Sequence, residues 1–346
     1  MGCDNNQQPI GFRRDAPTDP LSPMKKRWLS YLILGAGAVL ATPSAVAGCG
    51  SAFCTLNTTW DVQDLSRGSG STVLDLRYEF IRQDRLRTGH RTITRDKATA
   101  LDDEAAEQYT YNRNLVATID HTFSSRWGVT AQLPLIDRSH AHVSDPSGTA
   151  QYESWQFRAP GDLRVIGRYR LSGSERAGSA VALQFGLKFP TGDYRVANAD
   201  GVIAERMLQP GSGSTDLIVG AIWSTQHPGS KTSLFAQVGL QHAVVIRDDY
   251  RPGDLYTLNV GARYALTQRV SALFQFNTLA RNRESGANAE NRLSGGLTLL
   301  ASPGVAIAIT RDIQAYGFVQ LPLYRHVNGV QLTVDWALVG GASVRF

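Results

Sequence analysis

The last seventeen residues of the chain, 330–346, largely alternate between apolar and polar side chains. The even positions hold Val330, Leu332, Val334, Trp336, Leu338, Ala342, Val344 and Phe346, and the odd positions hold Gln331, Thr333, Asp335, Ser343 and Arg345. Because successive side chains of a β-strand point to opposite sides, a period of two predicts a strand with one apolar and one polar face. A soluble sheet and a membrane-spanning barrel both satisfy this pattern.

The same alternation recurs upstream, where charged residues make it more restrictive. Residues 73–81 alternate Leu74, Leu76, Tyr78 and Phe80 with Asp75, Arg77 and Glu79. A row of ionised side chains cannot face lipid, so this face has to meet water or polar protein. About twelve segments follow the pattern, and roughly nine or more residues suffice for a tilted strand to cross a bilayer. We therefore predict an all-β fold, a transmembrane antiparallel up-and-down β-barrel of about 12 strands over residues 71–346.

Connections between the predicted strands differ in length. Residues 124–126 form a tight turn, whereas residues 82–108 and 137–160 are long and polar. Bacterial barrels have short periplasmic turns and longer extracellular loops, so we assign the long segments to the extracellular side. Within residues 293–309, Ser302-Pro303-Gly304 predicts a bulge in one continuous strand, with a hairpin turn as the alternative.

The amino-terminal residues are typical of an exported protein. Three basic residues at 25–27 precede an apolar run at 28–40 and an A-x-A site at 45–47, which predicts a signal peptide over residues 24–47. An uncleaved anchor is the alternative, but the apolar run is short for a spanning helix. Residues 1–23 are interpreted as an upstream extension, and residues 48–70 as a periplasmic lead-in or a plug in the lumen. The predicted location is the outer membrane of a Gram-negative bacterium, after signal-peptide export.

Composition excludes other classes of protein rather than naming one. The chain is 42% hydrophobic and 19% charged, which is ordinary for a folded protein and unlike a disordered chain. Its net charge of +5 comes from scattered basic residues, so we expect no nucleic-acid partner.

Two cysteines follow the predicted signal peptide. Cys49 and Cys54 are candidates for a short-range disulfide in an oxidising compartment. Residues 46–49 also resemble a lipobox, in which Cys49 would instead be acylated. Two cysteines alone do not complete a metal site.

Two resemblances narrow the class. The terminal Phe346, with apolar residues two and four places before it, resembles the carboxyl-terminal signature by which the assembly machinery of the outer membrane recognises its barrels. This resemblance implies outer-membrane lipid and that machinery as partners, with Phe346 as the assembly signal.

Four short motifs resemble the transporters of the MetA-pathway of phenol degradation family, which is similar to FadL-like channels. They are Phe189-Pro190-Thr191-Gly192-Asp193-Tyr194, Gln209-Pro210-Gly211-Ser212-Gly213-Ser214, Ser302-Pro303-Gly304-Val305 and Gln320-Leu321-Pro322-Leu323. The resemblance covers roughly residues 163–346. It implies an outer-membrane barrel that takes up small hydrophobic or aromatic solutes, and it supplies no catalytic residues.

Charged residues on the polar faces are the candidate lumen lining. They are Asp75, Arg77, Glu79, Asp120, Asp162, Arg164, Arg168, Arg170, Lys188, Asp216, Arg263, Asp335 and Arg345. Because both signs are present, these groups either pair with each other and narrow the pore, or partly contact a solute. Arg164, Arg168 and Arg170 form an Arg cluster that would attract carboxylates, unless Asp162 and other acidic residues neutralise it.

The sequence gives no sign of catalysis. His140 and His142 flank one residue but lack a third ligand, so we expect no metal site, no cofactor and no enzyme activity. The expected function is an outer-membrane channel or transporter for small solutes. The alternatives are a structural or partner-binding barrel without transport and, further off, an outer-membrane hydrolase.

Overall fold

The computed structural model describes residues 68–101, 105–144, 151–173 and 178–346. The predicted upstream extension, the signal peptide and the Cys49–Cys54 pair lie outside these residues, as does most of the lead-in at 48–70. No helix in the described part of the chain is both long and apolar enough to span a membrane.

Antiparallel strands make up most of the described chain, together with one α-helix. In order they are β1 (Thr72–Gly89), β2 (Arg91–Thr92), α1 (Arg95–Leu101), β3 (Ala105–Thr122), β4 (Trp127–Ser144), β5 (Gln151–Pro160), β6 (Leu163–Ser172), β7 (Ser179–Phe189), β8 (Thr215–Thr225), β9 (Thr232–Val245), β10 (Leu255–Ala265), β11 (Val270–Arg281), β12 (Gly296–Ala308) and β13 (Ile313–Arg345). Each strand of the barrel pairs with its sequence neighbour, and β13 pairs with β1, so the sheet closes on itself. The short β2 and β5 lie outside the closed sheet.

The last element, β13, forms two adjacent strands of the barrel wall. β13 is an unbroken run of 33 residues that pairs with β12 up to Val327 and with β1 from Val330 onwards. Its two ends lie together, because Arg345 N donates to Asp312 O at 2.8 Å. The turn uses Gly329 with φ +62°, a conformation that glycine adopts without steric strain. Counting both passes of β13 gives twelve crossings, so the predicted barrel is confirmed.

Two segments predicted as extracellular loops are largely strand. β1 continues to Gly89 and β3 begins at Ala105, so part of residues 82–108 extends the barrel wall. β4 likewise continues to Ser144 and pairs with β5, which carries most of the remainder of residues 137–160. The prediction was wrong there because outward charged residues such as Asp137 mark the end of the membrane contact, and the strand itself continues into water.

The segment containing Pro303 is one strand, as predicted. Pro303 pairs with Phe274 of β11 inside the continuous β12, which excludes the hairpin alternative. The register shift, however, lies between Leu299 and Leu300 rather than at Ser302-Pro303-Gly304.

β5 and β6 together pair along one edge of β4. β5 pairs with β4 over residues 135–144, and β6 pairs with β4 over residues 127–132. Gly161 joins them by donating its N–H to Pro134 O at 2.8 Å. In the described chain β5 has no second strand partner, because β7 ends at Phe189 and the next residues turn into the barrel.

Candidate functional site

The barrel wall separates an apolar outside from a polar inside. On β1, Leu76 and Tyr78 are 52% and 46% exposed, whereas Arg77 and Glu79 are almost fully buried. Burial of ionised groups inside the barrel and exposure of apolar groups outside it is the arrangement that lipid requires. The interior therefore holds the candidate site.

Charged side chains on the outside mark the extracellular edge of the membrane-facing wall. Arg158 donates to Asp137 at 3.0 Å, and Arg113 lies 3.8 Å from the same carboxylate. Arg82 pairs with Asp84 at the corresponding height on β1. Ionised groups on the lipid face are strongly unfavourable, so β4 beyond Asp137 and all but the last residues of β5 form an extension outside the bilayer.

Most of the predicted lumen residues pair with one another. Lys188 Nζ lies 3.0 Å from Asp162 and 3.1 Å from Asp216. Arg168 lies 3.4 Å from Asp120, which also accepts a 2.6 Å hydrogen bond from Thr130. The first contacts join β7 to β8 and to the connection before β6, and the second join β3, β4 and β6, all on the inside of the wall.

A second set of polar contacts lies within β1, between β1 and β13, and between β10 and β11. Arg77 Nε lies 2.9 Å from Glu79, and Tyr316 donates to both oxygens of Asp75 at 2.9 and 3.1 Å. On β10, Arg263 donates to Ser271 at 3.0 Å. The polar faces of these strands thus form hydrogen-bonded ladders around the lumen.

The three predicted arginines of β6 have different surroundings. Arg168 is held by Asp120, and Arg170 is buried nearer the periplasmic end. Arg164 lines the central cavity, where Asp162 and Asp216 act on it electrostatically. Arg345 lies at the periplasmic end of β13, opposite Val73.

Asp335 lies apart from the lumen set, because a bulge interrupts the last strand. The pairing of β13 with β1 shifts register around Arg82 and Gln83, which leaves Asp335 beside Arg85 at 3.0 Å. The Asp335 side chain is 5% exposed and that of Arg85 is 64% exposed, so Asp335 is buried at the bulge and its partner lies at the surface.

The bulge also changes which apolar residues of 330–346 point into the barrel and which point outward. Val330 and Leu332 are buried against Leu86 and Leu208, whereas Leu338 and Phe346 are exposed on the outside. The expectation that all even positions of 330–346 share one face is therefore wrong. A shift of one residue moves every following side chain to the other face.

A loop between β7 and β8 fills the extracellular end of the barrel. This inward loop, residues 190–214, contains a short 3-10 turn at Arg206–Leu208 with Met207 and Leu208 buried. Arg138 of β4 donates to the carbonyl oxygens of Met207, at 3.3 Å, and of Leu208. Backbone carbonyls bound by a buried arginine hold the turn against the wall.

The two ends of the inward loop meet in a narrow neck. Gly192 and Gly211, which belong to the motifs at residues 189–194 and 209–214, are in backbone contact. A Cβ added to either glycine would overlap the other residue. Asp162 accepts hydrogen bonds from Gly192 N at 3.1 Å and Ser212 N at 2.9 Å. Asp162 therefore links both chain segments of the neck to Lys188 of the wall.

A cavity of about 230 Å³ remains between the inward loop and the barrel wall. Its lining combines apolar and ionised groups, among them Val116, Ile136, Met207, Arg77, Arg164 and Arg281. Such a mixed surface suits a solute that has both an apolar body and a polar group.

Three aromatic and charged residues link the inward loop to its neighbours. Arg206 stacks over Tyr250, 4.7 Å from the ring centroid, and Tyr250 donates to Glu284 at 2.5 Å. Both Tyr250 and Glu284 lie in the extracellular connections. Burial raises the pKa of Glu284 to about 6, against the hydrogen bond from Tyr250, which lowers it.

Arg138 positions the inward loop but is not among the lumen residues that the sequence predicts. It falls in the predicted extracellular loop 137–160, although the even positions Arg138, His140 and His142 continue the inward parity of Thr130 and Gln132. Extending that parity beyond Ile136 would have placed all three inside the barrel.

These features define a transmembrane β-barrel whose polar lumen is narrowed by an inward loop. The chain belongs to the family described as "Putative MetA-pathway of phenol degradation", whose sequence model matches residues 98–325. No curated protein sequence matches the chain.

Solved outer-membrane barrels have a similar fold. The COG4313 outer-membrane channel from Pseudomonas putida F1 is 13% identical with a TM-score of 0.57, over 81% of this chain and 97% of that one. A FadL homologue from Pseudomonas aeruginosa is 11% identical with a TM-score of 0.38, over 80% and 89% of the two chains. The likeness to the COG4313 channel shows that the two chains share the β-barrel fold of outer-membrane proteins.

Proposed function

We propose that the protein is an outer-membrane channel for small solutes, in particular aromatic molecules that carry a polar group. The observation that carries this proposal is the cavity between the barrel wall and the inward loop, which is lined by apolar groups and by ionised groups of both signs. A wholly apolar solute would desolvate Arg164 without giving it a hydrogen-bond partner of its own, which is unfavourable. The family's description, which refers to phenol degradation, supports the choice of an aromatic solute.

The dimensions of the cavity favour a small solute. Pockets for drug-sized ligands commonly enclose about 300–1,000 Å³, and the cavity here is smaller, at about 230 Å³. The inward loop blocks a straight path, so passage requires a movement at its neck. We place this channel in the outer membrane of a Gram-negative bacterium, exported by its signal peptide and inserted by the outer-membrane assembly machinery.

Single-channel recording tests the proposal. The folded full chain is inserted into planar bilayers beside a Gly211→Ala variant, whose neck the added methyl group forces apart. Phenol and cyclohexanol, which are similar in size, are then added to one side. We expect phenol to interrupt the ionic current at an about tenfold lower concentration than cyclohexanol, equivalent to roughly 1.4 kcal/mol of binding preference.

Two results contradict the proposal. Absence of current from both proteins, when both show the heat-modifiable gel migration of folded barrels, rules out a channel and favours a structural or partner-binding barrel. Equal interruption by the two alcohols rules out the preference for aromatic solutes. Hydrolysis of an ester or peptide substrate by the folded protein would support the outer-membrane hydrolase instead.

A further inference from the structure

Five residues with metal-binding side chains converge inside the extracellular extension of the barrel. Glu107 lies on β3, His140 and His142 lie on the adjacent β4, and all three are buried. One ligand atom from each of these three lies within 4.8 Å of the others. Register explains the convergence, because Glu107 pairs with His142 across the two strands.

His140 already has the orientation of a metal ligand. Its Nδ1 lies 2.9 Å from Thr110 Oγ1, and its Nε2 lies 3.5 Å from Glu107 Oε2. Metal-bound histidines commonly use one ring nitrogen for the metal and the other for a hydrogen bond that fixes the ring. In a tetrahedral site with bonds of about 2.1 Å, ligand atoms are about 3.4 Å apart, which matches the His140–Glu107 separation.

Two more carboxylates complete the cluster from other elements. Glu153 of β5 lies 2.8 Å from His142 Nε2, and Glu205 of the inward loop lies 3.8 Å from His142 Nδ1. Trp155 covers the cluster, with its ring 4.9 Å from that of His142. The site therefore has nitrogen and oxygen donors from three strands and one loop behind an apolar wall.

Both histidines lie beyond Asp137 on β4, outside the membrane-facing wall. His140 Nε2 and His142 Nδ1 lie 3.5 and 3.8 Å from carboxylate oxygens of Glu107 and Glu205. Neighbouring ligand atoms around one metal ion have similar separations.

We propose that Glu107, His140 and His142, with Glu153 or Glu205 as further ligands, bind a divalent transition-metal ion. Imidazole and carboxylate donors together suit Zn²⁺, and Ca²⁺ and Mg²⁺ are disfavoured by the nitrogen ligands. Glu205 directly precedes the turn at Arg206–Leu208. A metal held by Glu205 and by the wall would therefore fasten the inward loop in the lumen.

Metal titration of the folded full chain tests the site. Co²⁺ serves as the spectroscopic probe and Zn²⁺ as its competitor, after treatment with a chelator. We expect one equivalent of Co²⁺ with visible d–d absorption, displaced by Zn²⁺, and loss of this binding in the His140→Ala/His142→Ala double variant. His242→Ala is the matched control, since His242 lies elsewhere and faces Asp254 at 2.6 Å.

Several outcomes would overturn the site. If the wild-type protein binds no Co²⁺, the proposed site is ruled out, whether or not any variant folds. A thiolate charge-transfer band would assign the metal to cysteine instead. If the double variant fails to show heat-modifiable migration, Glu107→Gln replaces it, and unchanged affinity in that folded variant contradicts the proposal.

The role of Glu205 has a separate readout. Trypsin cleavage after Arg195, whose side chain is 63% exposed in the inward loop, reports on how firmly the loop is held. We expect Zn²⁺ to slow this cleavage in the wild type and in Asp200→Asn, a control in the same loop, but not in Glu205→Gln. Equal slowing in all three would show that the metal does not fasten the loop. Neither measurement depends on transport, so failure of the channel proposal leaves this one intact.

Discussion

Lys188 Nζ lies 3.0 Å from a carboxylate oxygen of Asp162, at the point where the inward loop leaves and rejoins the barrel wall. The same carboxylate accepts the backbone N–H groups of Gly192 and Ser212. A buried ion pair that also satisfies backbone donors fixes two chain segments at once. The conformation of the lumen therefore depends on this one side chain.

Replacement of Asp162 by Asn is expected to loosen the neck. Removing one partner of a buried pair costs about 3–5 kcal/mol, and we expect the lower end because Asp216 still contacts Lys188. The folded variant should conduct more ions than the wild type in planar bilayers and lose heat-modifiable migration at a lower temperature. Asp137→Asn, at the exposed pair with Arg158, should change neither. Unchanged conductance in Asp162→Asn would contradict a role for this carboxylate in closing the lumen.

Substitution of Gly211 should also loosen the neck, for a steric reason. A methyl group there would overlap the carbonyl oxygen of Gly192, so the backbone has to move, at a cost of about 1–3 kcal/mol. We expect Gly211→Ala to raise single-channel conductance and to increase cleavage of the inward loop by trypsin. Gly340→Ala is the matched control, because its added methyl would lie 3.9 Å from Tyr316 O, an ordinary contact. If both variants behave like the wild type, the neck is not tightly packed in the membrane.

The residues of the wall could be predicted from sequence because lipid imposes a simple rule. Charged Asp75, Arg77 and Glu79 alternate with apolar neighbours, and only one assignment of faces keeps the charges out of lipid. That rule stops at the membrane edge. Above Asp137 both faces of a strand meet water or protein, so the strand continues while the alternation that predicts it weakens.

The candidate site was harder to predict because it depends on register and on a long loop. One bulge between Val334 and Trp336 places Asp335 beside Arg85 and turns Val330 and Leu332 inward. The neck and the metal-ligand cluster each join residues that lie far apart in sequence, such as Asp162 with Ser212 and Glu107 with His142. The alternation of residues along a strand gives no information about which loops enter the barrel lumen.

The extracellular connections should be more firmly closed at mildly acidic pH. Burial raises the pKa of Glu284 from an ordinary value near 4.5 to about 6, so the folded state binds its proton more tightly than the unfolded state. Stability from this group is therefore full below about pH 4.5 and is lost as pH rises to about 6. The difference is about 2 kcal/mol, because one pKa unit corresponds to roughly 1.4 kcal/mol.

Hydrogen exchange measures this effect locally. The opening free energy of the amides in residues 282–295, corrected for intrinsic exchange, should fall between pH 5 and pH 7. Glu284→Gln removes the titrating group and keeps an acceptor for Tyr250, so its profile should be flat. A wild-type profile as flat as that of the variant would mean that Glu284 is already ionised at pH 5, because the nearby Arg206 and Arg281 outweigh the effect of burial.

Phe346 should affect assembly and not selectivity. Its ring is 70% exposed on the outside of the barrel, whereas its backbone pairs with Thr72 through bonds of 2.9 and 3.1 Å. Phe346→Ala keeps these backbone bonds and removes only the ring, far from the cavity and from the inward loop. We expect several-fold less folded protein in outer-membrane fractions, with unchanged single-channel conductance and solute preference for the molecules that do insert. Leu338→Ala, which removes another exposed apolar side chain of the same strand, is the control and should insert nearly normally. An altered solute preference in Phe346→Ala would contradict this, because the strand end would then have to communicate with the lumen.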